Sequence, residues 1–202
     1  MSAAKVPLRF RITNQFVRQL QRLHVVCRPF LITREDLYPD ERTSIELNSD
    51  YRFCALDETD LPQIHNLRPE MDVERYAEFM RVGYKCFGIK RNDELIAKMW
   101  LNFRDFNSVM YQRVLEDDEI YLFDAYCNPA YRGQNLAPCL RLRCYEQARA
   151  LGRQRIYSIT DYTNHAARNF KAKLGARHVE LSVMLRVRGG RKRVITLRRY
   201  SM

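Results

Sequence analysis

The run Tyr126-Cys127-Asn128-Pro129-Ala130-Tyr131-Arg132-Gly133-Gln134-Asn135-Leu136-Ala137 constrains the fold of this chain more than any other feature, because it reads as a strand that breaks into a turn and reopens as a helix. Residues 120–127 are rich in aromatic and β-branched side chains and have strand length; Asn128-Pro129 stops the strand and Arg132-Gly133 supplies the turn. From Asn135 onward Leu136, Leu140, Cys144, Ala148 and Leu151 recur at helical spacing, with Arg141, Arg143, Gln147 and Arg149 mostly outside the apolar stripe. The start of that helix lies beside the turn. Unpaired N–H groups and the positive end of the helix dipole converge where Arg132 adds a full charge, a combination suited to a diphosphate.

On these residues the segment resembles motif A of the GNAT superfamily, the acyl-CoA-dependent N-acyltransferases, whose pattern is roughly V-x-P-x-x-[RQ]-G-x-G-x-[GA]. Cys127, Pro129, Arg132, Gly133 and Ala137 fall on that pattern, and Asn135 stands where the family prefers a second glycine. Asn is the residue best able to replace Gly at positive φ, because its short polar side chain tolerates that conformation. Downstream, residues 156–160 read as a strand and residues 164–176 as a short helix closed by Gly175. This second segment resembles the family's N-x-x-A-x-x-[LF]-Y-x-K-x-G-[FA], with Asn164, Ala167, Phe170, Lys173 and Gly175 in place. The tyrosine that often protonates the departing CoA thiolate is replaced by Lys171. A lysine with an ordinary pKa of about 10.4 is a poor match for neutral pH, so the acid is Lys171, Tyr162 or absent.

The resemblance covers roughly residues 51–188 and implies a GNAT-like α/β fold: a mixed, mostly antiparallel twisted sheet with helices on both faces. It implies that the strand carrying motif A and the next strand splay apart, with the pantetheine arm of acetyl-CoA, or of a longer acyl-CoA, in the gap. On that basis the backbone N–H of Cys127 polarises the thioester carbonyl, Arg132, Gly133, Gln134, Asn135, Leu136 and Ala137 hold the pyrophosphate, and Asn164 contacts the arm. The acceptor, a primary amine of a small molecule, attacks directly without a covalent enzyme intermediate. Asp124 and Tyr126 share one strand face by alternation and flank the expected reaction centre; this nominates Asp124 as base, with Glu119, Asp161 and His165 as competitors. The acceptor's identity is not legible. Residues 66–78 and 103–119 are expected to build its pocket, and Glu116-Asp117-Asp118-Glu119 is either a cation attractor there or a solvated loop.

The 202 residues carry a net charge of +11, and the positive excess sits at the two ends. Residues 1–34 hold Lys5, Arg9, Arg11, Arg18, Arg22, Arg28 and Arg34 with no acid, and residues 186–202 hold Arg186, Arg188, Arg191, Lys192, Arg193, Arg198 and Arg199 with no acid. Over residues 16–27, Phe16, Val17, Leu20, Leu23 and Cys27 share one helical arc, which predicts a basic amphipathic helix. It would dock on an anionic membrane surface, bind nucleic acid or pack on the domain, with nucleic acid ranked below the membrane. The expected division is a basic extension over 1–48, made of this helix and a short strand over 25–33, and a GNAT-like domain over 49–202. Within the domain, strands are expected at 51–56, 86–90, 94–103, 178–187 and 194–200, and helices opened by Asp57 and over 71–82.

Six cysteines lack C-x-x-C spacing and four histidines complete no metal motif, which predicts reduced, mostly buried thiols and no metal; Cys127 as a nucleophile is the outlying alternative. With no run of about 20 apolar residues and no secretory signal, the chain is expected to be soluble and cytoplasmic, with peripheral attachment at the inner membrane surface as a second expectation. Two rival readings remain. One is a CoA-binding module without turnover, motivated by Asn135 and Lys171; the other is a membrane- or nucleic-acid-associated protein that uses its basic ends. Oligomeric state has no sequence signature here.

Overall fold

The computed structural model describes residues 25–35, 45–187 and 190–201. These form β1 (Val25–Glu35), β2 (Arg52–Leu56), α1 (Leu61–Leu67), α2 (Val73–Arg81), β3 (Lys85–Arg91), β4 (Glu94–Asn102), β5 (Glu119–Cys127), α3 (Leu136–Ala150), β6 (Arg155–Asp161), α4 (His165–Lys173), β7 (Arg177–Val187) and β8 (Arg193–Arg199). The strands make one sheet in the order β2-β3-β4-β5-β6-β1-β7-β8. Every neighbouring pair is antiparallel except β5–β6, which the α3 crossover makes parallel.

Local chemistry sets the element ends. Asp57 closes a capping box with Asp60 over a 3-10 turn, Glu58–Asp60, that runs into α1 with Pro62 in its first turn. The Asp72 carboxylate caps α2 by accepting from Glu74 N. The hairpin from β3 to β4 turns through Asn92 and Asp93, both at positive φ, a conformation their short polar side chains tolerate. The chain therefore folds as expected from residue 51 onward, with α1 and α2 on one face and α3 and α4 on the other.

Two apolar clusters cover the core strands. Leu136, Leu140, Cys144, Tyr145 and Ala148 of α3 pack on Met99, Leu101, Ile120, Leu122 and Ile156. On the opposite face Ile64 of α1 and Tyr76 and Phe79 of α2 pack on Cys86, Leu95 and Trp100. Because β4 is covered on both faces, its residues from Leu95 to Asn102 are all buried.

The amino-terminal region departs from its expected form. The proposed helix over 16–27 lies outside the described residues up to residue 24, and its last three positions, Val25, Val26 and Cys27, are strand. Their pairing with Val187, Arg186 and Leu185 of β7 satisfies the backbone. The strand expected over 25–33 exists, runs to Glu35, and is an interior strand, since β1 lies between β6 and β7. Residues 25–35 thus contribute Phe30, Leu31 and Ile32 to the core, although sequence reasoning placed them in an extension.

Candidate active site

The site grows from the point where two strands stop pairing. β5 and β6 are in register from Glu119↔Arg155 to Leu122↔Ser158, and no pairing follows, although β5 continues to Cys127 and β6 to Asp161. On its other edge β5 stays paired with β4 as far as Cys127, and Asn128 N donates to Ile96 O at 2.8 Å. Alternation of the antiparallel ladder then turns the N–H of Cys127 away from β4, towards the gap facing β6. A bulge sharpens this arrangement. The β4–β5 register shifts between Lys98 and Trp100, and Asp124 takes φ +48° there.

Beyond Cys127 the chain makes the turn that the sequence predicts. Asn128 caps a 3-10 turn, Pro129–Tyr131, through its side chain; Gly133 has φ +84° and Asn135 takes the left-handed conformation at φ 58°. Asn135 does what the missing glycine would do. Cys139 N is the first α3 amide to donate to a carbonyl four residues back, that of Asn135, so the N–H groups of Leu136 and Ala137 point out of the helix end. Residues 132–135 are exposed. Arg132 Nε donates to Cys127 O at 3.4 Å, and Tyr51 Oη donates to Gln134 Oε1 across the loop. Exposed donors, a helix end and a guanidinium thus converge on one rim of the gap, which suits an anionic ligand.

The structure separates the proposed catalytic residues. Asp124 is held by two cations, since Lys98 Nζ and Arg68 Nη1 each donate to one of its carboxylate oxygens, and its side chain is only 5% exposed. Both carboxylate oxygens of the residue nominated as base are thus engaged in ion pairs. Lys98 is itself fully buried beneath the Tyr76 ring at 4.6 Å, and burial pulls its pKa down against the opposing pull of Asp124. Tyr126 lies under the Arg68 guanidinium at 5.7 Å, so Arg68 bridges the two residues that the sequence nominated. Sequence reasoning missed Arg68 and Lys98. The only sequence signal for Lys98 is a charge in the middle of an apolar strand, Leu95–Leu101.

Lys171 lies elsewhere, on the α3 face under the inner end of the gap. Its Nζ donates to Ser158 Oγ at 2.6 Å and to Thr160 Oγ1, and the residue is 5% exposed. Next to it Arg141 donates two bonds to the Glu35 carboxylate, to which Tyr145 and Ser158 also donate. Burial, reinforced by Arg141 and opposed by Glu35, lowers the Lys171 pKa to about 7. The objection that a lysine here titrates too high is thereby removed. Burial alone would raise Glu35, but Arg141, Lys171 and Ser158 outweigh it and hold the carboxyl at about 2.

The remaining candidates fall into place around this frame. Glu119 sits at the far end of β5, bonded to Arg113 and Arg155, and Asp118 is paired with Arg155, so two carboxylates of the acidic run are tied to arginines. Asp161 accepts from Thr163 and pairs with Arg28. Asn164 caps α4 by accepting from Ala167 N at 3.0 Å and is exposed, as is His165 beside it. Burial raises the Cys127 thiol against Arg132, which disfavours the thiolate a nucleophile needs. Among the described residues no group of three His, Cys, Asp or Glu side chains could hold a metal.

Comparison with known proteins agrees with this geometry. The model of the acetyltransferase (GNAT) family matches residues 35–176. Among solved structures, a tandem GNAT protein from the clavulanic acid biosynthesis pathway superposes with a TM-score of 0.64 at 13% identity, covering 99% of this chain and 63% of that one. A GNAT-family acetyltransferase of Novosphingobium aromaticivorans gives 0.56 at 18% identity, over 79% of this chain and 65% of that one. The ribosomal-protein-S18-alanine N-acetyltransferase of Escherichia coli gives 0.52 at 19% identity, over 62% and 76%. The chain therefore spans less than two thirds of the first two of these structures, and a comparison with curated proteins finds no match. With the splayed strands, the left-handed turn and a family match over most of its length, the chain belongs to the GNAT acetyltransferase family, whose members take acetyl-CoA as co-substrate.

Proposed function

We propose that the protein transfers an acetyl group from acetyl-CoA to a primary amine of a small-molecule acceptor, with both substrates bound at once. The observation that carries this reading is the end of β5–β6 pairing at Leu122 and Ser158, which leaves the N–H of Cys127 facing the gap without a β6 partner. Acetyl-CoA supplies an acetyl group activated as a thioester and a thiolate leaving group. In this chain Arg132, Gly133, Gln134, Asn135, Leu136 and Ala137 offer the donors and charge for its pyrophosphate, and Asn164 offers an amide to its arm. The pantetheine amides can pair with the strand edges as an added strand would. The N–H of Cys127 is fixed before substrate arrives, so it stabilises charge developing on the thioester oxygen without reorganising.

In this reading the amine nitrogen bonds to the acetyl carbon as the C–S bond breaks, Lys171 gives a proton to the departing thiolate and the proton lost by the amine leaves to solvent, while Arg68, Asp124 and Tyr126 form the wall on the opposite face, towards α1 and α2. Amine acceptors are consistent with a structural neighbour named for acetylating an alanine. Incubation with acetyl-CoA and a panel of amino sugars, amino acids and polyamines, followed by thiol release, tests the proposal. Release that depends on an amine is expected. Coenzyme binding without release on any amine would instead favour a binding module.

A further inference from the structure

One residue of β5 holds a backbone shape that strands ordinarily leave to glycine. Between the pairs Trp100↔Phe123 and Lys98↔Tyr126, β4 advances by two residues and β5 by three, so β5 carries one residue more than its partner. Asp124 opens this bulge at φ +48°. The other non-glycine residues at positive φ among those described, Asn92, Asp93 and Asn135, all lie outside strands. A bulge whose first residue is left-handed typically has glycine there, and a side chain in that place persists when its surroundings over-determine it.

The Asp124 carboxylate supplies that constraint. Lys98 Nζ and Arg68 Nη1 each donate to one of its oxygens. Lys98 is fully buried in β4 under the Tyr76 ring of α2. Arg68 closes the end of α1, and Tyr76 Oη donates to its carbonyl at 3.4 Å. Two strands and two helices are thus tied together at the bulge. The consequence is felt three residues on. Asn128 N donates to Ile96 O, so beyond the bulge Asn128 faces β4 and Cys127 faces the gap. Without the extra residue the alternation would shift by one and turn the Cys127 N–H into the ladder with β4.

We infer that the Lys98–Asp124–Arg68 cluster is a positioning device, which holds Asp124 left-handed and so directs the Cys127 N–H into the gap. Its use in catalysis rests on the acetyl-transfer reading; its geometry does not. Removing Asp124 alone would leave the Lys98 charge buried without a partner, so the test compares Asp124→Gly, Asp124→Asn and Asp124→Val in a Lys98→Met background. All three lack the carboxylate. They differ in tolerance of positive φ, which is greatest for Gly, intermediate for Asn and least for β-branched Val. Cooperative melting identifies the folded variants, and Asp124→Ala replaces Asp124→Val should the latter not fold. Affinity for acetyl-CoA, measured by calorimetry, should be alike in the Gly and Asn variants and about tenfold weaker in the Val variant. In the free proteins, exchange of the Asn128 amide hydrogen should be slow with Gly or Asn and faster with Val. Equal affinity and equal exchange in all three would overturn the inference. So would an equal loss of amine-dependent thiol release, relative to Lys98→Met, at unchanged affinity, since that result makes Asp124 the base. If wild type does not bind acetyl-CoA, the acetyl-transfer reading falls, and the Asn128 exchange rates decide the inference by themselves.

Discussion

Replacing Glu35 with Gln is expected to destabilise the fold by about 3–5 kcal/mol, because the carboxylate is fully buried and Arg141 would keep its charge with no counter-ion. At 2–4 °C per kcal/mol for a domain of this size, the melting temperature should fall by roughly 10 °C. The double replacement Glu35→Met, Arg141→Met should recover much of that loss, since removing both members of a buried pair avoids the unpaired charge. The pH dependence gives a second check. Glu35 titrates at about 2 in the folded chain, below its ordinary value, so its stabilising contribution is complete above the unfolded carboxyl range near 4.5 and is lost as pH falls towards 2. Urea midpoints measured from pH 6 to pH 2 should show this loss in wild type and not in Glu35→Gln. Equal midpoints at neutral pH would refute the role given to the pair.

Replacing Lys171 with Met is expected to lower kcat by about 10²-fold near pH 6.5, the scale of a positioned general acid. A proton donor must be protonated, so wild-type kcat should decline above about pH 7 as Lys171 titrates. The variant should lack that decline. Stability should move the other way. The folded pKa is depressed, so burying the charged amine costs stability below about 7, and the cost disappears as pH rises past the unfolded value near 10.5. Lys171→Met should therefore fold at least as stably as wild type at pH 6, which separates lost chemistry from lost structure. A variant with the same pH profile and kcat as wild type would remove Lys171 from the mechanism.

What could be read from the sequence was local. The turn residues Gly133 and Asn135 encode left-handed backbone shapes that few other residues adopt, Asn128 supplies a capping side chain, and α3 announced itself by spacing. The left-handed conformation at Asn135 and the C-terminal Gly175 at φ 77° follow from the residue types alone. What escaped depends on partners far along the chain. β1 joins β6 by pairs such as Thr33↔Ser158, and nothing in residues 25–35 indicates that they enter the middle of a sheet. Nothing around Glu35 in the sequence shows that α3 brings Arg141 to it. Asp124 was placed on the correct face, beside Tyr126, for an incomplete reason. Simple alternation would turn Phe123 and Asp124 to opposite faces, yet the bulge lets Asp124 meet Lys98 while Phe123 still packs on Trp100 of the same face. Its two ion pairs, to Arg68 and Lys98, come from residues far along the chain.

The account rests most directly on the gap between β5 and β6 binding acyl-CoA with its diphosphate at the Arg132 turn. Calorimetric titration with acetyl-CoA, of wild type beside Arg132→Glu, addresses that claim. The expected result is saturable one-to-one binding by wild type and affinity about a hundredfold weaker in the variant, because a charge-assisted contact is replaced by repulsion. Absence of binding to folded wild type, or equal affinity in the two proteins, would contradict it.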